Sequence, residues 1–498
     1  MNVNPITRLD YPDPDVIRVE DTYYMVSTTM HFMPGCEILQ SFDLVHWEHA
    51  TYVYETLDHT DAQQLKSGQN IYGQGMWAAS LRYHEGRFYI CFVANDTRKT
   101  YLYTSEKIDG PWKKQLIEGF YHDGSLLFDE DGRNYIVYGN DEIWITELNE
   151  DLTAPKKDGL HRLLVSDHKN PELGYEGSHI QKINGYYYIF LIHSLRDRWM
   201  RTEACFYSDS LEGEFTGGDV LCDDRGYCGQ GVAQGGIVDT PDGKWYAMLF
   251  QDSGAVGRIP ILVPVTWKDH FPVFGQNGHV PEEIEVHSTR PGYIYQPLVG
   301  SDDFCNGLLP RWQFNHDPDP RYYHLDALQG TYTITTREVC TELTQAVNTL
   351  TQRMSYPSCA AEVTVDASAL KEGDVAGLCA LQSCYAAVGI TKHHGKYEVL
   401  VLDKKEDGIL DMTERTVVES HQMDFRLEAD FCNMKDEARC YYRVNKGDWL
   451  PIGTVHKLYF KLDHFTGCRF GLFCYAAEET GGSACFRDFK YYDVDEIS

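Results

Sequence analysis

The sequence predicts an all-β protein: a five-bladed β-propeller over residues 1–290, a linker at 291–300 and a β-sandwich over 301–498. Three observations predict it. A strand–turn–aromatic motif recurs five times in the first half, the recurrence stops at a Pro/Gly-bearing stretch, and the rest alternates apolar with polar residues. A chain of 498 residues also exceeds what one core organises, so two or more domains are expected.

The repeat first reads Pro14-Asp15-Val16-Ile17-Arg18-Val19, turning at Glu20-Asp21 into Tyr23-Tyr24. The second copy is Ser80-Leu81-Arg82-Tyr83, turning at Glu85-Gly86 into Phe88-Tyr89, and the third Leu126-Leu127-Phe128, turning at Asp131-Gly132 into Tyr135-Ile136. The fourth runs from His179 to Ile183 and turns at Asn184-Gly185 into Tyr186-Tyr187; the fifth is Ile237-Val238, turning at Asp242-Gly243 into Trp245-Tyr246. Each is a hairpin signal. Between copies lies a second motif, a strand running into a short polar turn closed by an aromatic: Ser41-Phe42-Asp43-Leu44 before Trp47, Ser105 to Ile108 before Trp112, and Ser208 to Leu211 before Phe215. Two hairpins per repeat make a four-stranded sheet. Anchored on Tyr24, Tyr89, Tyr135, Tyr187 and Tyr246, the spacings are 65, 46, 52 and 59 residues, suited to propeller blades and too irregular for a solenoid. Sandwiches and barrels offer similar patterns, but five copies in register favour five blades.

The stretch from Arg290 to Pro297 breaks the repeat and reads as a linker. Beyond it, Ala361–Asp366, Tyr397–Leu402 and Leu458–Leu462 have a period of two, each expected to be a strand of a sandwich.

The formal charge of −31, from 75 acidic and 44 basic residues, repels phosphate backbones and anionic lipid, so neither nucleic acid nor membrane is an expected partner. The fifteen cysteines, scattered from Cys36 to Cys485 without CxxC spacing, indicate neither a disulfide framework nor a zinc site. Met1-Asn2-Val3-Asn4-Pro5 shows no basic or apolar leader. A cytoplasmic location is expected. The 34 tyrosines suit strand packing and also the flat faces of sugars.

In a propeller, residues just before the innermost strands converge on one mouth of the central channel. Counting back 11 or 12 residues from the anchor tyrosines gives Asp13, Trp77, Asp123, Glu176 and Gln234, three of them carboxylic acids. Carboxylates gathered on one cavity serve glycoside hydrolysis or a hard-cation site. Hydrolysis needs one acid to protonate the leaving oxygen and one carboxylate to activate water or attack the anomeric carbon, and a third negative charge raises the pKa of the acid. Trp77 offers a flat wall for a sugar ring. Alone, Asp13 in Tyr11-Pro12-Asp13-Pro14-Asp15 reads equally as a rigid turn, Asp123 as an Asx-turn and Glu176 as part of a solvated loop. Their shared place in the repeat argues for a site.

The segments Tyr11–Val19, Asp123–Gly132 and Tyr175–Tyr188 resemble the three signatures of glycoside hydrolase family 43. The second half, through Asn348–Arg353 and Gly373–Leu378, is similar to the sandwich appended to β-xylosidases of that family, so the resemblance spans nearly the whole chain. It implies a concanavalin-like jelly roll for the sandwich and an inverting single displacement. In it Asp13 is the general base, Glu176 the general acid, and Asp123 tunes and orients Glu176. It further implies that Arg258 reaches the glycone hydroxyls and that Phe32 is a pocket aromatic. Relatives place a calcium-associated histidine near the axis, where this chain has Gln234 and Ser253. No cofactor is therefore expected to be required: a calcium ion held by carbonyls and water is compatible with the channel, but no residue demands one. The family's invertase-type relatives carry an Asn-Asp-Pro motif, which is absent near this N-terminus.

The expected activity is removal of terminal xylose from xylo-oligosaccharides or arabinoxylan-derived oligosaccharides. An α-L-arabinofuranosidase, or an enzyme with both activities, is the nearest alternative, and a non-catalytic sugar-binding propeller is an alternative of another class. The sandwich reads as a lid on the pocket, a sugar-binding module or an assembly surface. The last is compatible with a homo-oligomer.

Overall fold

The computed structural model describes residues 3–493, so Met1, Asn2 and the last five residues of the 301–498 segment lie outside it. Five four-stranded antiparallel sheets follow one another in sequence order. They begin with the inner strands Asp15–Val19, Met76–His84, Ser125–Phe128, Glu176–Ile183 and Ile237–Asp239 and end at Phe274. These first strands pack around a common axis, the first against the fifth as well as the second, which closes the ring. Main-chain bonds from Ile6 to Pro260 and from Tyr11 to Arg258 add to the closure, as does the Asn4 side chain on both polar groups of Leu262. The expected five-bladed propeller is therefore present.

The anchor tyrosines all lie on second strands, opposite Ile17, Arg82, Leu127, Lys182 and Val238 of the first. In the turns Glu85-Gly86 and Asn184-Gly185 both residues have positive φ, the two-residue geometry whose twist matches that of the strands. In the second motif the serine hydroxyl caps the turn: Ser41 Oγ accepts from the Asp43 and Leu44 amides, and the Trp47 indole closes back on the Leu44 carbonyl. Ser105 and Ser208 repeat the cap on Lys107 and Ser210.

Because strand side chains alternate, successive residues of one strand feed two different inter-blade cores. Val26 packs between blades 1 and 2 and Met25 between blades 5 and 1; Val137 and Ile136 divide the same way around blade 3, and Ile189 and Phe190 around blade 4. Both faces of each blade are covered, which explains apolar runs such as Phe88-Tyr89-Ile90-Cys91-Phe92-Val93 where one-sided alternation would be looked for.

Segment 289–296 lies along blade 1: Phe42 donates to Tyr295 Oη, Gln296 to Glu48, and Arg290 pairs with Asp21. The second half is a sandwich of two antiparallel sheets over a large apolar core that includes Tyr332, Val363, Leu378, Phe425 and Phe486. Ser358–Asp366 and Lys396–Lys404 contain two of the expected strands. Leu458–Leu462 does not form the third; it is a loop with Leu458 buried in the sandwich core, Phe460 near the Arg258 guanidinium and Leu462 at the pocket described below. Among the described residues the cysteines are unpaired thiols and no helix is long and apolar enough to cross a membrane.

Candidate active site

The inner strands share one irregularity. At or just after each counted position the backbone turns left-handed: φ is 53° at Asp13, 21° at Ala78, 48° at Asp123, 64° at Gly177 and 65° at Gln234. The ladder slips register at the same level in blade 2, between Trp77 and Ser80, and in blade 4, between Glu176 and His179. Such bulges re-aim a side chain, and Asp tolerates the left-handed region better than most residues. Gly177 has no such latitude, since a Cβ there would sit 2.7 Å from the Gln234 side chain. The outcome is that Asp13, Trp77, Asp123, Glu176 and Gln234 line one pocket of about 290 Å³ at the channel mouth. A hollow of about 730 Å³ on the sandwich, beside Tyr475 and His393, lies away from these carboxylates.

Asp13 is buried and held at both oxygens: Thr28 Oγ1 donates to Oδ2 at 2.6 Å and Arg258 Nη1 to Oδ1 at 3.2 Å. Thr28 Oγ1 in turn accepts the Ala78 amide at 2.8 Å, tying the carboxylate to blade 2. Asp123 accepts the Gly177 amide at 3.0 Å, which bridges blades 3 and 4. Burial and the charges of Glu176 and Asp13 push its carboxyl upward against the pull of His122. Glu176, half-buried at the mouth, accepts from Asn140 Nδ2 at 2.8 Å. Asp13 and Glu176 belong to blades 1 and 4, which are not neighbours in the ring, so they face the pocket from different sides. Beneath Gln234, the buried Glu203 accepts the Gln234 amide at 2.7 Å, and burial drives its carboxyl far up, towards the neutral form.

Trp77 and Arg258 line the pocket, the latter with its guanidinium 4.4 Å from the Phe465 ring centre. Phe32 does not: with Met33 it adds a two-residue strand to the sandwich, buried with Leu343, Tyr385 and Phe473 under the Arg469 guanidinium. The pocket-aromatic reading of Phe32 is corrected accordingly, because the chain turns it away from the channel and into the second domain's core.

Several lining residues escaped the sequence reasoning. His122 precedes Asp123 and brings Nε2 to 3.5 Å from Asp123 Oδ2 and 3.7 Å from Glu176 Oε2. Asp123, followed by Glu176 and Asp13, pushes its imidazole up to about 9 against burial, so it is cationic at neutral pH. Its adjacency to Asp123 was the available signal. The ligand atoms of His122, Asp123 and Glu176 lie within 4.8 Å of one another. A proton on His122 supplies the positive charge in that cluster. Arg201, paired with Asp252 at 2.7 Å, and Phe250 complete the blade side. Leu462 and Phe465 come from the sandwich loop and wall off one side.

That loop is clamped to the propeller. Asp10 accepts both the Arg258 amide and the Gly467 amide at 2.8 Å, and Cys468 donates to the Ala255 carbonyl at 2.8 Å. Deeper in the interface Arg353 pairs with Glu37 at 2.8 Å over the Tyr11 ring. His464 stacks on Tyr72, 3.8 Å between ring centres, beside the buried His31 and His316. Burial is the main cause holding all three histidines below the ordinary value, His464 at about 3. Folded values below the unfolded ~6.5 mean that stability is lost as pH falls below that value. At pH ~5.5 each such histidine costs about 1.4 kcal/mol. In His464→Phe, which keeps a flat ring on Tyr72, the fall in stability measured by denaturant titration between pH ~7.5 and ~5.5 is expected to be smaller by about that amount. An unchanged fall contradicts this account of the interface.

The channel below the pocket is occupied by side chains. Asp15 accepts Arg82 Nη1 and the Leu81 amide at 2.7 Å and lies 3.1 Å from His179 Nδ1. Arg82 also donates to Ser125 Oγ and to the Leu126 and Ile180 carbonyls, joining four blades. Against burial, Arg82 and His179 hold Asp15 down at about 2. A calcium ion at this level would need the same carboxylate and carbonyl oxygens. They are already bound to a guanidinium, so the residues present do not fit calcium there.

Comparison with known proteins agrees with this geometry. Residues 3–272 match the model of glycosyl hydrolases family 43, and residues 301–492 that of the β-xylosidase C-terminal concanavalin A-like domain. A β-xylosidase of Formosa agariphila is 27% identical over 99% of this chain and 89% of its own length, and a xylosidase/arabinosidase of Butyrivibrio fibrisolvens is 24% identical over 99% of both. A solved structure of a bifunctional GH43-CE protein from Bacteroides eggerthii superposes with a TM-score of 0.92 at 42% identity over 99% of this chain. This chain spans 64% of that protein, just under two thirds of its length.

Proposed function

The chain belongs to glycosyl hydrolase family 43 and is a glycoside hydrolase, and from that premise we propose that it is an inverting exo-β-1,4-xylosidase acting on xylo-oligosaccharides. The observation that carries this is the convergence of Asp13, Asp123 and Glu176, from three blades, on one small walled pocket. Glu176 gives its proton to the glycosidic oxygen as the bond to the anomeric carbon breaks. Asp13 takes a proton from the water that adds to that carbon from the opposite face, so the sugar leaves inverted and no covalent intermediate forms. Asp123, which accepts the amide of Gly177 next to Glu176, is assigned the part of orienting the acid. Arg258 holds Asp13 and is assigned the contact with the glycone hydroxyls. The step uses water and carboxyl groups alone, and no cofactor is assigned to it.

Exo action is supported by size and enclosure. At about 290 Å³ the pocket is at the lower end of small-molecule sites, and Leu462 and Phe465 of the sandwich border it on one side. The sandwich is thus assigned the part of a lid. Xylose as the glycone is supported by the β-xylosidase of Formosa agariphila, and the xylosidase/arabinosidase of Butyrivibrio fibrisolvens sets the competitor to test. Initial rates on nitrophenyl β-D-xyloside and α-L-arabinofuranoside, side by side, test the reading. The xyloside is expected to be the better substrate by kcat/KM. A faster arabinofuranoside makes the chain an arabinofuranosidase, and turnover of neither overturns both readings.

A further inference from the structure

Resting on that reading, we propose that Gln234 is a specificity-determining residue of the pocket: its side-chain amide binds a hydroxyl of the terminal sugar. Place and chemistry both carry the assignment. The five counted positions follow the ring as Asp13, Trp77, Asp123, Glu176 and Gln234, and all of them line the pocket. Blade 5, which closes against blade 1, therefore lies between the blade of the acid and that of the base. A sugar whose anomeric carbon is set between Glu176 and Asp13 has Gln234 at its flank. Gln234 is buried, and among the described residues its carboxamide makes no hydrogen bond; only its main-chain amide is bonded, to Glu203 at 2.7 Å.

The side chain is held ready for that contact. Gln234 has a left-handed backbone, with φ of 65°, between two fixed neighbours. Ala233 exchanges main-chain bonds with Phe250 at 3.1 and 3.0 Å, and a Cβ on Gly235 would run into the Met248 carbonyl. On the blade 4 side Gln234 packs against Gly177, where an added Cβ would sit 2.7 Å from its Cγ and Cδ and 3.0 Å from its Nε2. Gly177 follows Glu176, so this packing sets the carboxamide beside the residue next to the acid. The other polar side chains of the pocket are engaged. Asp13 is bonded by Thr28 and Arg258, Arg201 pairs with Asp252, Asn140 bonds Glu176, and Asp123 accepts the Gly177 amide. His122 faces Asp123 and Glu176, and the Trp77 indole nitrogen is buried. A carboxamide offers a donor and an acceptor together, and a sugar hydroxyl is both as well. A buried amide left unpaired costs free energy, which a bound hydroxyl recovers.

The test uses Gln234→Met, which keeps the length and packing of the side chain and removes both hydrogen-bonding atoms. Its kcat/KM is compared with that of the wild type on an aryl β-xyloside and on the three analogues that each lack one ring hydroxyl. Comparing the two enzymes on one substrate cancels the intrinsic reactivity of each deoxy sugar. On the parent xyloside the variant is expected to lose about tenfold in kcat/KM, the worth of one hydrogen bond. The loss disappears on the analogue lacking the hydroxyl that Gln234 holds and persists on the others. An equal loss on all four substrates makes Gln234 merely structural and overturns the proposal, as does no loss on any. Thermal unfolding is the folding control, and Gln234→Leu, of similar bulk, takes the place of a first variant that does not fold. Titration calorimetry with free D-xylose and L-arabinose reads the contact without turnover. The sugar that the wild type binds should bind Gln234→Met about tenfold more weakly. Equal affinity overturns the proposal whatever the activity. Weakened binding of arabinose alone leaves the Gln234 contact standing and removes the xylosidase reading instead, and a wild type that binds neither sugar removes both.

Discussion

Asp13→Asn is expected to lower kcat/KM by about 10²–10⁴ on every β-xyloside, whatever the leaving group, while the fold is retained. The side chain keeps its volume, and its amide oxygen can still accept from Thr28 Oγ1, which donates to Oδ2 at 2.6 Å in the wild type. What is lost is a basic oxygen for the attacking water. The loss is uniform because the base acts on the attacking water, which is the same whatever group departs. The Arg258 guanidinium, 3.2 Å from Oδ1, loses its ionic partner, so a modest rise in KM accompanies the fall in kcat. Steady-state kinetics on a matched substrate series, with thermal unfolding as the folding control, reads both effects. A loss confined to poor leaving groups contradicts the assignment of Asp13 as base.

The second large effect is expected from Glu176→Gln, and it is selective. With xylobiose, whose leaving sugar hydroxyl needs a proton as the bond breaks, kcat falls by about 10²–10⁴. With a nitrophenolate, which departs unprotonated, the fall is less than about tenfold. Gln retains a carbonyl oxygen to accept from Asn140 Nδ2, so the pocket keeps its shape. The two variants therefore separate the two halves of one displacement: a residue acting on water is blind to the leaving group, and a residue acting on the glycosidic oxygen is not.

The three carboxylates were legible in the sequence for a structural reason. A propeller turns position within a repeat into position around an axis, and the left-handed bulge recurs at Asp13, Asp123, Gly177 and Gln234. The same bulge hid His122. In a regular strand residues 122 and 123 would face opposite sides, whereas φ of 48° at Asp123 breaks the alternation and lets both side chains reach the pocket. Leu462 and Phe465 were beyond reach because their contact with the site is set by how two domains dock. The alternation of Leu458–Leu462 looks like a strand but arises from a loop that buries Leu458 in the sandwich core and sets Phe460 and Leu462 beside Arg258 and the pocket. Phe32 misled for the converse reason: it lies in the chain among blade 1 residues but pairs with Asn315 of the sandwich.

The most direct test of the central claim is the dependence of rate on leaving-group pKa, measured for the wild type, Asp13→Asn and Glu176→Gln over one series of aryl β-xylosides and xylobiose. The account predicts an Asp13→Asn loss that is flat across the series and a Glu176→Gln loss that grows steadily as the leaving group becomes more basic. Two flat lines, or the slopes exchanged between the variants, would show that the acid and base have been wrongly assigned.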